Sequence, residues 1–542
     1  MKKIISYKKH WWVLGTVAML SITSCTKLKD KNYTEINAAQ YVPTKDDLGS
    51  LVGPAYAGWR NVLFSTNGLY WVQELSGDEI VIPARPYGWV DGGKWRELHE
   101  HSWTPNHVSM QEMWSAAYSS ITNCNRVIYQ VETGSIPVEE SLKQSVLSEL
   151  KVLRASYYYT LCDMFGNVPI VTKFDVPEGF LPEQSTRKQV YDFIVAEITA
   201  AIPNLGTDNN SGTYGRFSNK WSAYALLARM YLNAKVYAGT AEWEKCLEAC
   251  NAIISSGKYE LEAKQRDVFV TKNENSKEIV FAVPFDEVFT GGFYMALYTM
   301  CPQNQQTYNS QNGGWGGVCA IPQFIDSYNP QDERVTGGWI QGQQYTASGQ
   351  PLTCAYGTVV GQPLKLLNEV PGVDSSQEIH GYRMAKYEYR QGMLASLSND
   401  VPLLRYTDVL MMKAECLLRT GKADEAATIV TDIRRRSFTA NPAAAVVTGA
   451  QLTGPSVYDY GLRNTHATTH EGGGGFEYGR FLDELGWEFA TEGRRRTDLI
   501  RFGAYSVKSW LSHTPGAATK ILMPIPQQEI NKNPKLKQNE GY

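Results

Sequence analysis

The chain runs to 542 residues with a formal charge of −3, 43% hydrophobic residues and 20% charged residues. That length exceeds what one simple core fills, so one large elaborated domain or two to three smaller ones follow, and the mild acidity argues against nucleic acid or an anionic lipid surface as partner. Aromatic residues reach 12%, with 32 Tyr and 14 Trp, side chains that join a flat apolar face to a polar group and so suit half-wet ligand surfaces as well as cores.

The first residues read as an address. Lys2, Lys3, Lys8 and Lys9 form a basic leader, and Trp11 to Ile22 is a mostly apolar run. It is shorter than the roughly 20 residues of a bilayer span but fits a signal-peptide core. Ile22-Thr23-Ser24-Cys25 sets small residues before a cysteine, which resembles a bacterial lipobox. This predicts a lipoprotein signal peptide over 1–24, lipidation of Cys25, a lipidated tether over 25–50 and a globular part at 51–542 outside the cytoplasm. Losing residues 1–24 removes four lysines and no acids, taking the charge from −3 to −7.

Helical periodicity begins at Met113 to Val131, with Trp114, Tyr118, Ile121, Val127 and Ile128, and continues over Leu142 to Phe165, with Leu142, Val146, Leu150, Leu153 and Tyr157 in one stripe. Gly166-Asn167-Val168-Pro169 stops it. Arg187 to Ile202 follows, with Ser185 or Thr186 available as N-cap. Lys220 to Ala238 and Ala241 to Ser256 form a helix pair, and Arg405 to Leu418 with Ala423 to Ser437 a second, joined by Thr420-Gly421-Lys422. These units resemble tetratricopeptide repeats without a regular spacing. The scaffold therefore lies mainly in 110–260 and 400–440. Residues from about 261 to 398 are rich in Gly, Gln, Asn and Tyr, with a strand-like alternation at Glu278 to Pro284, and read as a loop-rich insertion where binding groups sit. Residues 440–475 are a further loop, and 476–542 form a C-terminal segment. The eight cysteines after Cys25 lack the paired spacing of a zinc site, and Cys246 and Cys250 read as small core residues.

Several blocks carry a family resemblance. They are Leu153-Arg154-Ala155 through Phe165-Gly166-Asn167-Val168-Pro169; Ala225 through Leu232 with Ser256-Gly257-Lys258-Tyr259 after it; Asn399-Asp400-Val401-Pro402 through Glu415; and Glu488 through Arg501, closing with Pro524-Ile525-Pro526. In order and spacing they resemble the SusD/RagB family of nutrient-binding outer-membrane lipoproteins over essentially the whole chain. The resemblance implies a mainly α fold with tetratricopeptide-like helix pairs, a loop-built ligand face and a few short strands. It also implies a SusC-like TonB-dependent transporter as partner, for which the protein acts as a lid, and binding of oligo- or polysaccharide without catalysis. A same-family receptor for peptides or glycopeptides is the alternative. Members exposed at the cell surface often carry acids after the lipidated cysteine, whereas here Thr26-Lys27-Leu28-Lys29-Asp30 follows.

No catalytic constellation, cofactor motif or metal site is read. Glu484, Glu488 and Glu492 stand four apart among Arg480, Arg494, Arg495 and Arg501, which suggests an ion-pair network rather than a pair of hydrolytic carboxylates. His99, His101 and His107 read as loop histidines. The segment from Asp78 to Trp103 sets Arg85, Tyr87, Trp89, Asp91, Trp95 and Trp103 among prolines and glycines. Trp95 and Trp103 suit anchoring to the core, while Trp89 is expected as an exposed ring stacking on a sugar, with Tyr87, Arg85 and Asp91 beside it. Asn312 to Cys319 offers Trp315 and Cys319 in a glycine-rich run whose backbone can approach a ligand closely, and Arg383 to Arg390 offers Arg383 and Tyr389.

Overall fold

The computed structural model describes residues 48–542, so Cys25, the signal peptide and the tether up to residue 47 lie outside them. The fold is mainly α. It starts ahead of residue 51, with the short helices Leu48–Tyr56, Gly58–Phe64 and Leu69–Leu75. The last of these buries all seven residues, so no polar face marks its period in the sequence.

The expected long helices form, with ends set by local chemistry. Val108–Glu132 begins where His107 accepts the Ser109 amide and buries Met110, Met113, Trp114, Ala117, Ile121 and Cys124 in one stripe. Glu140–Met164 ends before Gly166, which takes φ +69°. Arg187–Ala201 starts with a capping box between Thr186 and Gln189. Lys220–Leu232 is capped by Asn219, which accepts the Trp221 and Ser222 amides at 3.1 and 3.0 Å. The expected continuation to Ala238 is interrupted at Asn233, whose side chain donates to the Arg229 carbonyl, and Ala234–Ala238 is a separate turn. Lys220–Leu232 packs on Trp243–Ser255, which packs on Tyr406–Arg419, which packs on Ala423–Arg435. Two helices separated by 150 residues of sequence thus lie side by side in one stack.

The insertion leaves and re-enters this stack through one antiparallel strand pair, Ile279–Val283 with Val401–Arg405, which sets Val401 opposite Val283 and Arg405 opposite Ile279 with irregularities on either side of Leu404. The strand expected from the alternation at Glu278 to Pro284 forms over Ile279–Val283 and is buried on both faces. Five other two-stranded sheets are found among the described residues. All eight cysteines after Cys25 are buried free thiols.

At the root of the strand pair the acidic trio meets its cations. Arg405 reaches Glu278 at 2.7 Å, Glu488 at 3.0 Å and Glu492 at 2.8 Å. Arg436 holds Glu278 and Glu488 at 2.5 and 2.6 Å, and Arg334 adds a contact to Glu488 at 3.2 Å. Lys386 pairs with Glu492, and Arg434 and Arg480 hold Glu484 at 2.6 and 2.8 Å. Burial alone would raise the Glu488 pKa, but Arg436, Arg405, Arg334 and Lys386 outweigh it and hold the carboxyl well below its usual range. Such a carboxylate contributes stability that is present above the unfolded glutamate range and is lost as acid protonates it. Glu488→Gln should therefore cost about 3 kcal/mol in urea denaturation at pH 7, because it strands buried guanidinium groups. The gap to the unsubstituted protein should narrow by about 2 kcal/mol at pH 3. A gap that is absent at pH 7, or constant with pH, refutes this reading.

Candidate ligand-binding cleft

Exposed aromatic rings converge in an open cleft of about 440 Å³ lined by Tyr87, Gly88, Trp89, Asp91, Pro302, Gly314, Trp315 and Tyr356. A larger cavity of about 690 Å³ between residues 142–149 and 206–218 offers a single ring, Tyr214, whose hydroxyl already donates to Asp400.

The first wall is a sharply turned loop. The Arg85 and Gly88 backbones exchange hydrogen bonds at 2.9 and 3.0 Å around Pro86-Tyr87. Gly88, Trp89, Asp91, Gly92 and Gly93 then all take positive φ. For Trp89, at +71°, and Asp91, at +44°, this left-handed geometry costs about 1 kcal/mol each, so neighbouring contacts have to impose it. Those contacts are visible. Trp95 Nε1 donates to Asp91 Oδ2 at 2.6 Å, and Trp89 Nε1 donates to the Trp315 carbonyl at 2.7 Å. The Tyr87 hydroxyl donates to the Gly316 carbonyl at 3.0 Å, and burial pushes its pKa to about 12, so it remains a donor at physiological pH.

The second wall is the run Gly313 to Val318. Its glycines face protein: a Cβ on Gly314 would stand 1.9 Å from the Met300 carbonyl, and one on Gly317 would stand 2.4 Å from the Trp89 ring. The expected freedom of approach is thus used to seat this loop against Met300 and Trp89. Trp315 projects from it, 44% exposed, edge-on to Tyr298 at 5.0 Å. Tyr356 forms the third wall, 40% exposed and 5.0 Å from Tyr87. It is held because the buried Glu378 carboxylate accepts the Ala355 and Tyr356 amides at 2.6 and 2.8 Å.

Beneath the floor two guanidinium groups fasten the walls together. Arg85 donates to the carbonyls of Gly317, Gln377 and His380 and to Cys319 Sγ. Arg383 donates to the carbonyls of Gly316, Val318 and Glu378. Burial and the neighbouring Arg383 lower the Arg85 pKa below its usual value.

These positions revise the sequence reading. Arg85, Cys319, Arg383 and Tyr389 are buried, so they support the cleft or the core and do not face a ligand. Tyr389 donates to the Met384 carbonyl, well inside the insertion. Trp89 lines the cleft but is half-buried, packed on Trp95 and Tyr298, so it is a structural wall and not a free ring. Tyr87, Asp91 and Trp315 do reach the cleft, and Trp95 and Trp103 are core anchors as expected. Pro302 and Tyr356 were not singled out; for Tyr356 the only sequence signal is the following Gly357, at φ +75°. His99 and His101 are interior residues. His101 stacks on Tyr505 at 4.4 Å and lies 4.0 Å from His513, and burial lowers the pKa of both His99 and His101 to about 3.

One family model, described as the SusD family, matches residues 277–542, and another, described as starch-binding associating with outer membrane, matches residues 83–232. The cleft draws walls from both ranges. The chain is similar to the starch-binding protein SusD of Bacteroides thetaiotaomicron, 24% identical over 527 residues that cover 90% of this chain and 86% of that protein. It is also similar to SusD-like protein P25 of Formosa agariphila, at 24% identity and 80% coverage of each. Among solved structures, a laminarin binding SusD-like protein superposes with a TM-score of 0.69 at 19% identity, covering 93% of this chain and 100% of its own. The surface glycan-binding protein A of Bacteroides thetaiotaomicron in complex with laminarihexaose gives 0.67 at 18% identity, covering 92% and 100%.

The contact between the two main walls is testable apart from any ligand. Gly317→Ala should push the Trp89 indole off its hydrogen bond to Trp315, costing about 1–3 kcal/mol and changing the near-ultraviolet circular dichroism. An unaltered spectrum with an unaltered melting temperature would mean that this contact does not hold Trp89.

Proposed function

The chain belongs to the SusD family, and we propose that it is a lipid-anchored outer-membrane receptor that binds oligo- or polysaccharide in the Tyr87–Trp89–Trp315–Tyr356 cleft. It passes the glycan to a SusC-like TonB-dependent transporter, for which it acts as a lid, and it does no chemistry on the ligand. The observation that carries the reading is the exposure of the Trp315 and Tyr356 rings at the mouth of a cleft whose walls are tied to the scaffold. Sugar C–H faces lie on such rings, while hydroxyls bond to a carboxylate such as that of Asp91. The relatives described as starch-binding and laminarin binding point the same way.

The absence of turnover is supported by the state of the acidic trio. Glu484, Glu488 and Glu492 are buried and each is engaged by cationic side chains, so none is free to act as acid or nucleophile. The transporter follows from family membership. The lipid anchor follows from the lipobox ending at Cys25, and the family description of association with the outer membrane supports its destination.

Trp315→Ala should weaken binding of the retained glycan at least about tenfold, since one covered aromatic face contributes on the order of 1–2 kcal/mol, while the melting temperature stays nearly constant. Calorimetry checks both quantities, and unaltered affinity would place the ligand elsewhere. Preferential binding of mixed peptides over polysaccharides in the same assay would favour a peptide receptor. For the anchor, Cys25→Ala should be exported yet released from membranes, because stable attachment needs more than one acyl chain. Retention of the variant after a carbonate wash would sink that claim.

A further inference from the structure

Accepting glycan binding in this cleft, we infer that the ligand class is uncharged: neutral oligo- or polysaccharide, with uronate-bearing and sulfated chains rejected. Recognition of a carboxylate or sulfate needs a free guanidinium fork, an ammonium group or a cluster of amide donors directed at the anion. Among the lining residues Tyr87, Gly88, Trp89, Asp91, Pro302, Gly314, Trp315 and Tyr356 there is no cationic side chain. The guanidinium groups of Arg85 and Arg383 lie under the floor, where they are 5% and 0% exposed and donate to carbonyls. The one Arg383 nitrogen without a partner, Nε, is buried there too.

Two further cations, on the helix Lys94–His99 that follows the first wall, are not among the lining residues. Lys94 Nζ sits 4.2 Å over the ring of Trp95, the indole that donates to Asp91. Arg96 pairs with Asp374 at 2.5 Å and Glu100 at 3.0 Å. The only charged lining group is therefore the exposed Asp91. Its Oδ2 accepts from Trp95, which leaves Oδ1 to accept from a sugar hydroxyl. That carboxylate repels an anion at the distance where it bonds a hydroxyl, and solvent screens it only in part. Exposed cations gather elsewhere, at Lys264 and Arg266 on a separate cavity beside Glu333.

Affinity electrophoresis of the full exported domain against two panels tests the inference. The neutral panel is starch, laminarin, mannan, xyloglucan and arabinan; the anionic panel is polygalacturonate, alginate and carrageenan. The expected result is retardation by at least one neutral polysaccharide, lost in Trp315→Ala, unchanged between 50 and 500 mM NaCl, and at least tenfold weaker for every anionic chain. Anionic polysaccharide bound as well as or better than neutral, or retention that salt abolishes, overturns the neutral class and leaves the glycan reading standing. Retardation by neither panel overturns the glycan reading itself.

Discussion

A buried cluster of opposite charges is the constraint from which the architecture follows. Glu278, Glu488 and Glu492 converge on Arg405 and Arg436 in the buried interior, and removing such groups from solvent is tolerable only when each finds partners of good geometry. Its members come from four parts of the chain. Glu278 directly precedes the strand Ile279–Val283, and Arg405 ends the strand Val401–Arg405. Glu488 lies in the helix Gly479–Phe489, and Arg436 follows the helix Ala423–Arg435. Satisfying the charges therefore sets the insertion, the second helix pair and the C-terminal segment at fixed positions together.

The cleft is held by a second set of contacts, separate from that cluster. Its first wall precedes the insertion and the other two lie within it, and their conformation is decided by contacts made among themselves, through the Trp89 indole, the Tyr87 hydroxyl and the two inward arginines. Left-handed Trp89 and Asp91 are strained in isolation, and the contacts that impose them also aim the walls. A binding face already formed before ligand arrives loses little order on association, which matters when each sugar ring contributes modestly. Arginine serves here as a building element: planar, always charged and able to hold several carbonyls at once, it joins segments hundreds of residues apart without exposing charge to the ligand.

The helical scaffold was legible in the sequence because its signals are local. Residues one turn apart share a face, so the stripes in Val108–Glu132 and Glu140–Met164 were legible, as were the cap at Thr186 and the break at Gly166. The acidic trio was legible as an ion-pair network, since a row of glutamates among arginines points to mutual neutralisation. Trp95 and Trp103 were legible as anchors. Which loop side chains look outward was settled by long-range packing alone. Arg85 looked like a ligand contact until its carbonyl partners, near residue 317 and over 377–380, came within reach, and Arg383 turned inward for the same reason. Trp89 was expected to be free because nothing nearby in sequence predicts Gly317 against its ring, and Tyr356 went unnoticed because Glu378 holds it from outside its own turn. In a loop no periodicity ties exposure to position, so the long-range partner of each side chain decides whether it is surface or support.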